Sequence, residues 1–364
     1  MKKNATKKTK KTNCRIVDIA AMAGVSTGTV DRVLHNRGNV SEEAREKIQQ
    51  AIAETSYPSS RVSASPVAGK PCRILSLIPA FLPGEYWSKV NEGIRKAERE
   101  YASFHVEVKQ LPFDQYDKKS FDTLIRSIKQ MDVQGVIIAT LFGKSVLRLA
   151  QWLDKQKTPY VLIDAWVEGT NCLAYNGPDS FQSGYVGGRL LLERIRKDDN
   201  VIIFNVMDHT RFESTQCARR EEGFRSYLSE AGFQGEIRLA FLLAKSPWKN
   251  EQLLNRLIRP QNRFGGGILF NSRVGMVASW FLKREKFDFA LVGYDAIKIN
   301  IPYLKNGIVS HLIAQHPEEQ GYNSVKALFY HQVNQPVKKM NFMPIDILVK
   351  ENIDYYTNYY TNHI

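Results

Sequence analysis

Apolar positions between residues 15 and 57 recur at helical spacing in three short runs. Ile16, Ile19, Ala20 and Ala23 form the first, which Gly24 ends. Ser26 is placed to cap a second run carrying Val30, Val33 and Leu34. Ser41 is placed to cap a third, with Glu42 and Glu43 at its positive end and Ile48, Ala51 and Ile52 along one face. A helix, a tight turn, a second helix and a supporting third is the geometry that sets a helix into a DNA major groove. The same pattern also describes any small helical bundle.

From Arg73 onward the pattern becomes short apolar strands alternating with amphipathic helices. Strands are expected at Ile74 to Pro79, Val106 to Val108, Val133 to Ala139 and Tyr160 to Ile163, with helices at Trp87 to Tyr101, Ser120 to Met131 and Ser145 to Gln156. A second series starts near Asp179. It has helices at Ser180 to Arg196, Ala218 to Ala231, Lys249 to Ile258 and Val274 to Lys283. Its strands are Val201 to Val206, Ile237 to Leu242, Gly267 to Phe270 and Phe289 to Gly293. Repeated strand–helix units imply parallel sheets flanked by helices, here in two lobes. The fold class is therefore α/β, behind an N-terminal three-helix unit. Ligands of such sheets bind beyond the carboxyl ends of the strands, so the cleft between lobes is the expected site.

Composition adds a partner and removes several chemistries. A formal charge of +14 over 364 residues suits an anionic partner. Residues 1–13 are a lysine-rich run without apolar positions, read equally as a solubilising tail or as an arm tracking DNA. No secretion signal or membrane-length segment is recognisable, and Cys14, Cys72, Cys172 and Cys217 have neither metal-ligand spacing nor a disulfide pattern, so a reducing cytoplasm is expected. Gly265, Gly266 and Gly267 precede the expected strand, whereas a phosphate cradle would follow one. With no nucleophile–base pair either, binding rather than catalysis is expected, without metal or cofactor.

Asp18-Ile19-Ala20, Ala23-Gly24-Val25-Ser26, Thr29-Val30, Arg32-Val33-Leu34 and Val40-Ser41-Glu42-Glu43 resemble the DNA-binding domain of the LacI family of bacterial transcription regulators. The region from 73 resembles that family's periplasmic-binding-protein-like effector domain. Gly187 with Leu190 to Leu192, Gly223-Phe224, Val292-Gly293-Tyr294-Asp295, Ala314-Gln315-His316-Pro317 and Gln320-Gly321 carry that likeness. The resemblance implies a helix-turn-helix domain at 14–57, a hinge at 58–72 and an effector domain at 73–364. The first lobe would take about 73–175 and 303–332, the second about 176–302 and 333–364, with Phe342 to Val349 as a last strand of the second.

In the DNA-binding unit, Ser26, Thr27, Gly28, Thr29 and Arg32 stand at the base-reading helix, and Asn36 and Arg37 follow in a turn suited to phosphate. By resemblance Thr27 and Gly28 are the base readers, although glycine has no side chain to read with. Asp31 stands where the family usually has a serine, and Arg15 where it has a threonine. The linker offers Arg61 and Val62 as hinge candidates. It has Pro66 near the family's leucine and no leucine of its own, which departs from the family's minor-groove wedge.

Ligand candidates are the strand-end residues Asp164, Asn271 and Asp295, the crossover residue Gln315, and the ring-stacking candidates Phe81, Tyr86, Trp87 and Trp166. Arg219 and Arg220 precede Gly223, where the family has an effector-binding arginine. The register between them stays open, Arg211 is also available, and Asp208 with His209 is a further polar pair. Each residue also has a plainer reading as a cap, a core ring or a solvated arginine. The expected function is a homodimeric regulator, most simply a repressor, that binds operator DNA and answers to a sugar-like small molecule. The second reading is a solute-binding protein delivering a sugar to a transport system.

Overall fold

The computed structural model describes residues 16–34, 40–54, 71–207, 214–284 and 288–363. The lysine-rich tail, Arg15, Asn36, Arg37, the hinge candidates Arg61 and Val62, and Asp208, His209 and Arg211 lie outside them. Contacts divide the chain into two compact units, Met1–Gly69 and Lys70–Ile364.

The first unit is three helices, α1 (Ile16–Ala23), α2 (Thr27–Leu34) and α3 (Glu42–Glu54). Their apolar faces meet in one small core of Ile19, Ala20, Ala23, Val30, Val33, Ile48 and Ala51. Gly24 takes φ +65°, and the turn is closed by the Val25 N–H donating to the Ala20 carbonyl at 3.0 Å. Ser26 Oγ accepts from the Thr29 N–H at 3.1 Å and Ser41 Oγ from the Ala44 N–H at 3.4 Å, so both serines cap as their positions predict.

In the second unit the chain first runs β1 (Cys72–Leu77), α4 (Tyr86–Glu100), β2 (Val106–Gln110), α5 (Lys118–Ile128), β3 (Gly135–Ala139), α6 (Gly143–Gln156), β4 (Tyr160–Ile163) and β5 (Ala174–Gly177). It continues through α7 (Ser180–Leu192), β6 (Asn200–Met207), α8 (Thr215–Glu230), β7 (Ile237–Leu243), α9 (Pro247–Leu257), β8 (Phe264–Leu269), α10 (Gly275–Leu282), β9 (Ala290–Tyr294), α11 (Ile301–Lys305) and β10 (His311–Ala314). The last elements are α12 (Pro317–Gln332), β11 (Met340–Phe342), β12 (Asp346–Leu348) and α13 (Ile353–His363). Among the described residues the strands form two six-stranded sheets, ordered β11-β5-β4-β3-β1-β2 and β12-β10-β9-β8-β6-β7. All pairs are parallel except β10 with β12. The two orders correspond strand for strand, so β4 of one lobe matches β9 of the other.

The correspondence extends to helices. In the first lobe α12 packs on α4, and in the second α7 packs on α8. Both contacts are backbone-close because each helix places a glycine there. A Cβ on Gly93 would lie 1.8 Å from the Glu318 carbonyl oxygen, and on Gly321 2.0 Å from that of Val90. On Gly184 it would lie 1.9 Å from the Arg220 carbonyl oxygen, and on Gly223 1.9 Å from that of Phe181.

Sheet pairing moves two of the expected lobe boundaries. Residues 303–314 belong with the second lobe, not the first, because β10 pairs with β9 through Leu312↔Gly293. The crossing falls at Gln315–His316, not near Pro302. Beyond α12 the chain stays in the first lobe through β11, which pairs with β5, and crosses only between Phe342 and Asp346. The single strand expected over 342–349 is thus two, divided at Pro344, which has no N–H to give a ladder. The glycine triplet lies inside β8, where a Cβ at Gly266 would meet the Ala290 carbonyl oxygen at 2.6 Å. β5, α11, β10 and α13 were not anticipated at all.

Candidate ligand cleft and nucleic-acid face

At the start of α2, Ser26, Thr27, Gly28 and Arg32 are exposed and Thr29 is half-buried. The Ser26 hydroxyl is engaged in the cap and lies 2.8 Å from Thr29 Oγ1, which fixes the first turn. Among the described residues only Ser26 Oγ, at 3.7 Å, approaches the place of a Cβ on Gly28, so this part of the helix is open to them. The surface is small, polar and unobstructed, as a helix approaching base edges requires.

In the second unit a narrow cleft, with an interior of about 90 Å³, opens between the strand ends of the two lobes. Its polar floor comes from the matched positions. Asp164 follows β4 and Asp295 follows β9, and both take left-handed backbone, with φ 82° and 66°. That turn aims each carboxylate away from its own sheet, a conformation aspartate tolerates better than bulkier residues. Asn300 fixes the Asp295 turn by donating from Nδ2 to the carbonyls of Ser272, Tyr294 and Asp295 at 3.0–3.1 Å.

A buried network ties the floor together. Gln315 Nε2 donates to Asp295 Oδ2 at 3.0 Å. Gln216 Nε2 reaches from the second lobe to Asp164, donating to its carbonyl at 3.0 Å and to Oδ1 at 2.5 Å. Arg220, with no exposed surface, donates to the Phe270 carbonyl at 2.6 Å and to Gln315 Oε1, and its guanidinium lies 4.0 Å from the centre of the Tyr294 ring. Burial pushes both aspartates up to about 7, a shift that the Arg220 charge and the two glutamine hydrogen bonds oppose. Asp295 Oδ1 is buried with no hydrogen-bond partner among the described residues. An acceptor left this way costs stability unless a ligand or water donor satisfies it.

Trp87, Asp164, Asn271, Asp295 and Gln315 therefore meet at one cleft, with Tyr86 beside Trp87. Arg220 lies directly beneath as a positioning residue. Three other candidates are placed elsewhere. Arg219 is exposed and paired with Glu222, whereas Arg220 is the one of the two that reaches the cleft floor. Phe81 packs against the first-lobe core, and Trp166 lies edge-on to Tyr175 at 5.9 Å in that lobe, neither lining the cleft. Gln115, Tyr116, Gln216 and Arg273 line it without having been anticipated. At its edge Arg273 Nη2 lies 3.2 Å from Glu85 Oε1, an ion pair joining the lobes.

Two lobes of matched topology with buried acceptors at their facing strand ends define a two-lobed binding domain, here preceded by a helix-turn-helix unit. Residues 75–335 match the model of the periplasmic binding protein domain, and residues 15–60 that of bacterial regulatory proteins of the lacI family. A solved structure described as a LacI transcriptional regulator from Bacteroides fragilis is 35% identical, with a TM-score of 0.75, over 79% of this chain and 100% of that one. The chain belongs to the LacI family of bacterial transcription regulators.

The HTH-type transcriptional repressor PurR of Klebsiella pneumoniae is 25% identical over 297 residues, 78% of this chain and 81% of its own length. GanP of Geobacillus stearothermophilus, a glucose-galactose binding protein, shares the fold at 19% identity and a TM-score of 0.66, over 78% of this chain and 99% of its own. The family and these repressor relatives mark the chain as a DNA-binding regulator rather than an enzyme. Among the described residues no helix is long and apolar enough to cross a membrane.

Proposed function

We propose that this regulator is a repressor working in the cytoplasm as a homodimer, and that it takes a neutral, hydroxyl-rich small molecule, a sugar or sugar derivative, in the cleft. The carrying observation is the buried Asp295 carboxylate, held on one oxygen by Gln315 and, among the described residues, unpartnered on the other, opposite Asp164 from the facing lobe. Carboxylates accept from vicinal hydroxyls, Asn271 supplies an amide that both donates and accepts, and Trp87 and Tyr116 supply flat apolar walls for a ring face. Arg220 holds the acceptors in place from behind. On the first unit, Thr27, Thr29 and Arg32 read or grip DNA from the exposed start of α2, where Gly28 permits close backbone approach.

The PurR relatives support the repressor reading and leave the effector open. The helix-turn-helix unit favours regulation over the transport-protein reading, which shares only the two-lobed fold. Thermal stabilisation of the full-length protein by a panel of neutral sugars, sugar phosphates and purines tests the effector class, because a ligand bound to the folded state raises its apparent stability. Selective response to purines or phosphates would replace the sugar reading. Operator selection from random DNA tests the first unit, and absence of sequence-selective binding with and without effector would refute it.

A further inference from the structure

The second crossover is built around a histidine that the cleft does not use. His316 follows Gln315, takes left-handed backbone at φ 53° and immediately precedes α12, the helix that returns to the first lobe. Its imidazole is nearly sealed, with 5% of the side chain exposed. Nε2 lies at ion-pair distance, 2.8 Å, from Asp346 Oδ2 on β12 in the second lobe but is not aligned for a hydrogen bond, and Nδ1 lies 3.6 Å from Glu319 Oε1 on α12 in the first. Asp346 is also the register partner of Ala314, so the second and third crossovers run side by side at this ring. The Tyr356 ring of α13 packs at 6.2 Å.

We propose that His316 is a proton-operated latch on the hinge. Its imidazolium ties a first-lobe carboxylate to a second-lobe carboxylate across the crossovers, and its neutral form leaves both without a counter-charge. The ring is charged, and donates from both nitrogens, only when protonated, so the two-sided tie exists or lapses with the proton. Among the described residues the titratable groups facing it are Glu319 from α12, Asp346 from β12 and Tyr356 from α13. Burial by itself pushes the imidazole down, but the two carboxylates outweigh it and hold the group above the ordinary histidine value. A raised folded value means the tie is complete at low pH and is lost as pH rises through that value. Because Gln315 is the neighbouring residue and the hub of the cleft floor, the latch acts on the segment that places Asp295.

Histidine NMR titration of the full-length protein tests the idea, together with hydrogen exchange over 311–320 and 340–348 at pH 6 and pH 8. His316 is expected to titrate above an ordinary histidine and to move down in Asp346→Asn. The crossover amides, corrected for intrinsic exchange, are expected to be better protected at pH 6. His316→Asn, chosen because asparagine accepts left-handed backbone, is expected to remove that difference. An unmoved titration in Asp346→Asn, or pH-independent protection in the wild type, overturns the latch. If His316→Asn does not fold, Asp346→Asn decides on both readouts. Neither readout needs the effector, so a wrong effector class leaves this test intact.

Discussion

Asp295→Asn should make the protein more stable and less able to sense its ligand. The substitution is isosteric, and asparagine is at ease at φ 66°. It also keeps an oxygen to accept from Gln315 Nε2. What it removes is a buried carboxyl raised from an ordinary 3.8 to about 7. Below 3.8 that group is protonated in both folded and unfolded chains and costs nothing. Between 3.8 and about 7 the unfolded chain ionises first, so stability falls as pH rises, and above about 7 the loss is complete. At about 1.36 kcal/mol per pH unit this is at most about 4 kcal/mol at pH 8. Arg220 keeps Asp164 as a counter-charge, so the opposing loss is partial. Urea denaturation should show Asp295→Asn above wild type at pH 8, with roughly half of the advantage gone by pH 5.5. Binding of any responsive sugar should weaken at the same time. A variant less stable than wild type at pH 8 would mean that pairing with Arg220 outweighs burial, and would refute the reasoning.

Arg220→Met leaves both carboxylates buried without the cation, and should lose about 3–5 kcal/mol at pH 8 by denaturant titration, with partial recovery on acidification. Gly223→Ala places a methyl 1.9 Å from the Phe181 carbonyl oxygen; the forced separation of α7 and α8 should outweigh the gain of about 1 kcal/mol in helix propensity and lower the melting temperature. Among the described residues a Gly28→Ala methyl meets only Ser26 Oγ at 3.7 Å, so it should not lower stability, and any loss in operator titrations would report contact with DNA. Trp87→Ala should weaken effector binding by calorimetry about tenfold or more, the loss expected when a ring loses its apolar wall.

Much of this was legible in the chain, and the exceptions have physical reasons. Caps and 3.6-residue spacing define α1 to α3 because each depends on neighbours within four residues. The cleft aspartates were recognisable because strand ends are where such sheets bind ligands. Arg220 was also readable in principle: Gln216, Arg220, Gly223 and Leu228 fall on one buried face of α8, which puts Arg219 outside. The lobe boundaries were not legible. His311 to Ala314 is an apolar strand that either sheet could accept, and only pairing with β9 assigns it. Tyr116 and Arg273 join the cleft through loop geometry, which local periodicity does not encode.

The strand-for-strand match between the lobes places one carboxylate at the same address in each half, Asp164 after β4 and Asp295 after β9. Matching the lobes strand for strand therefore matches their acceptors. A small molecule that offers donors along one edge only can satisfy one half and leave the other unchanged. It should occupy the cleft without drawing the halves together, and so behave as a competitive antagonist. Agonism, on this geometry, is a matter of reach: only a molecule with donors on opposite edges speaks to both halves at once.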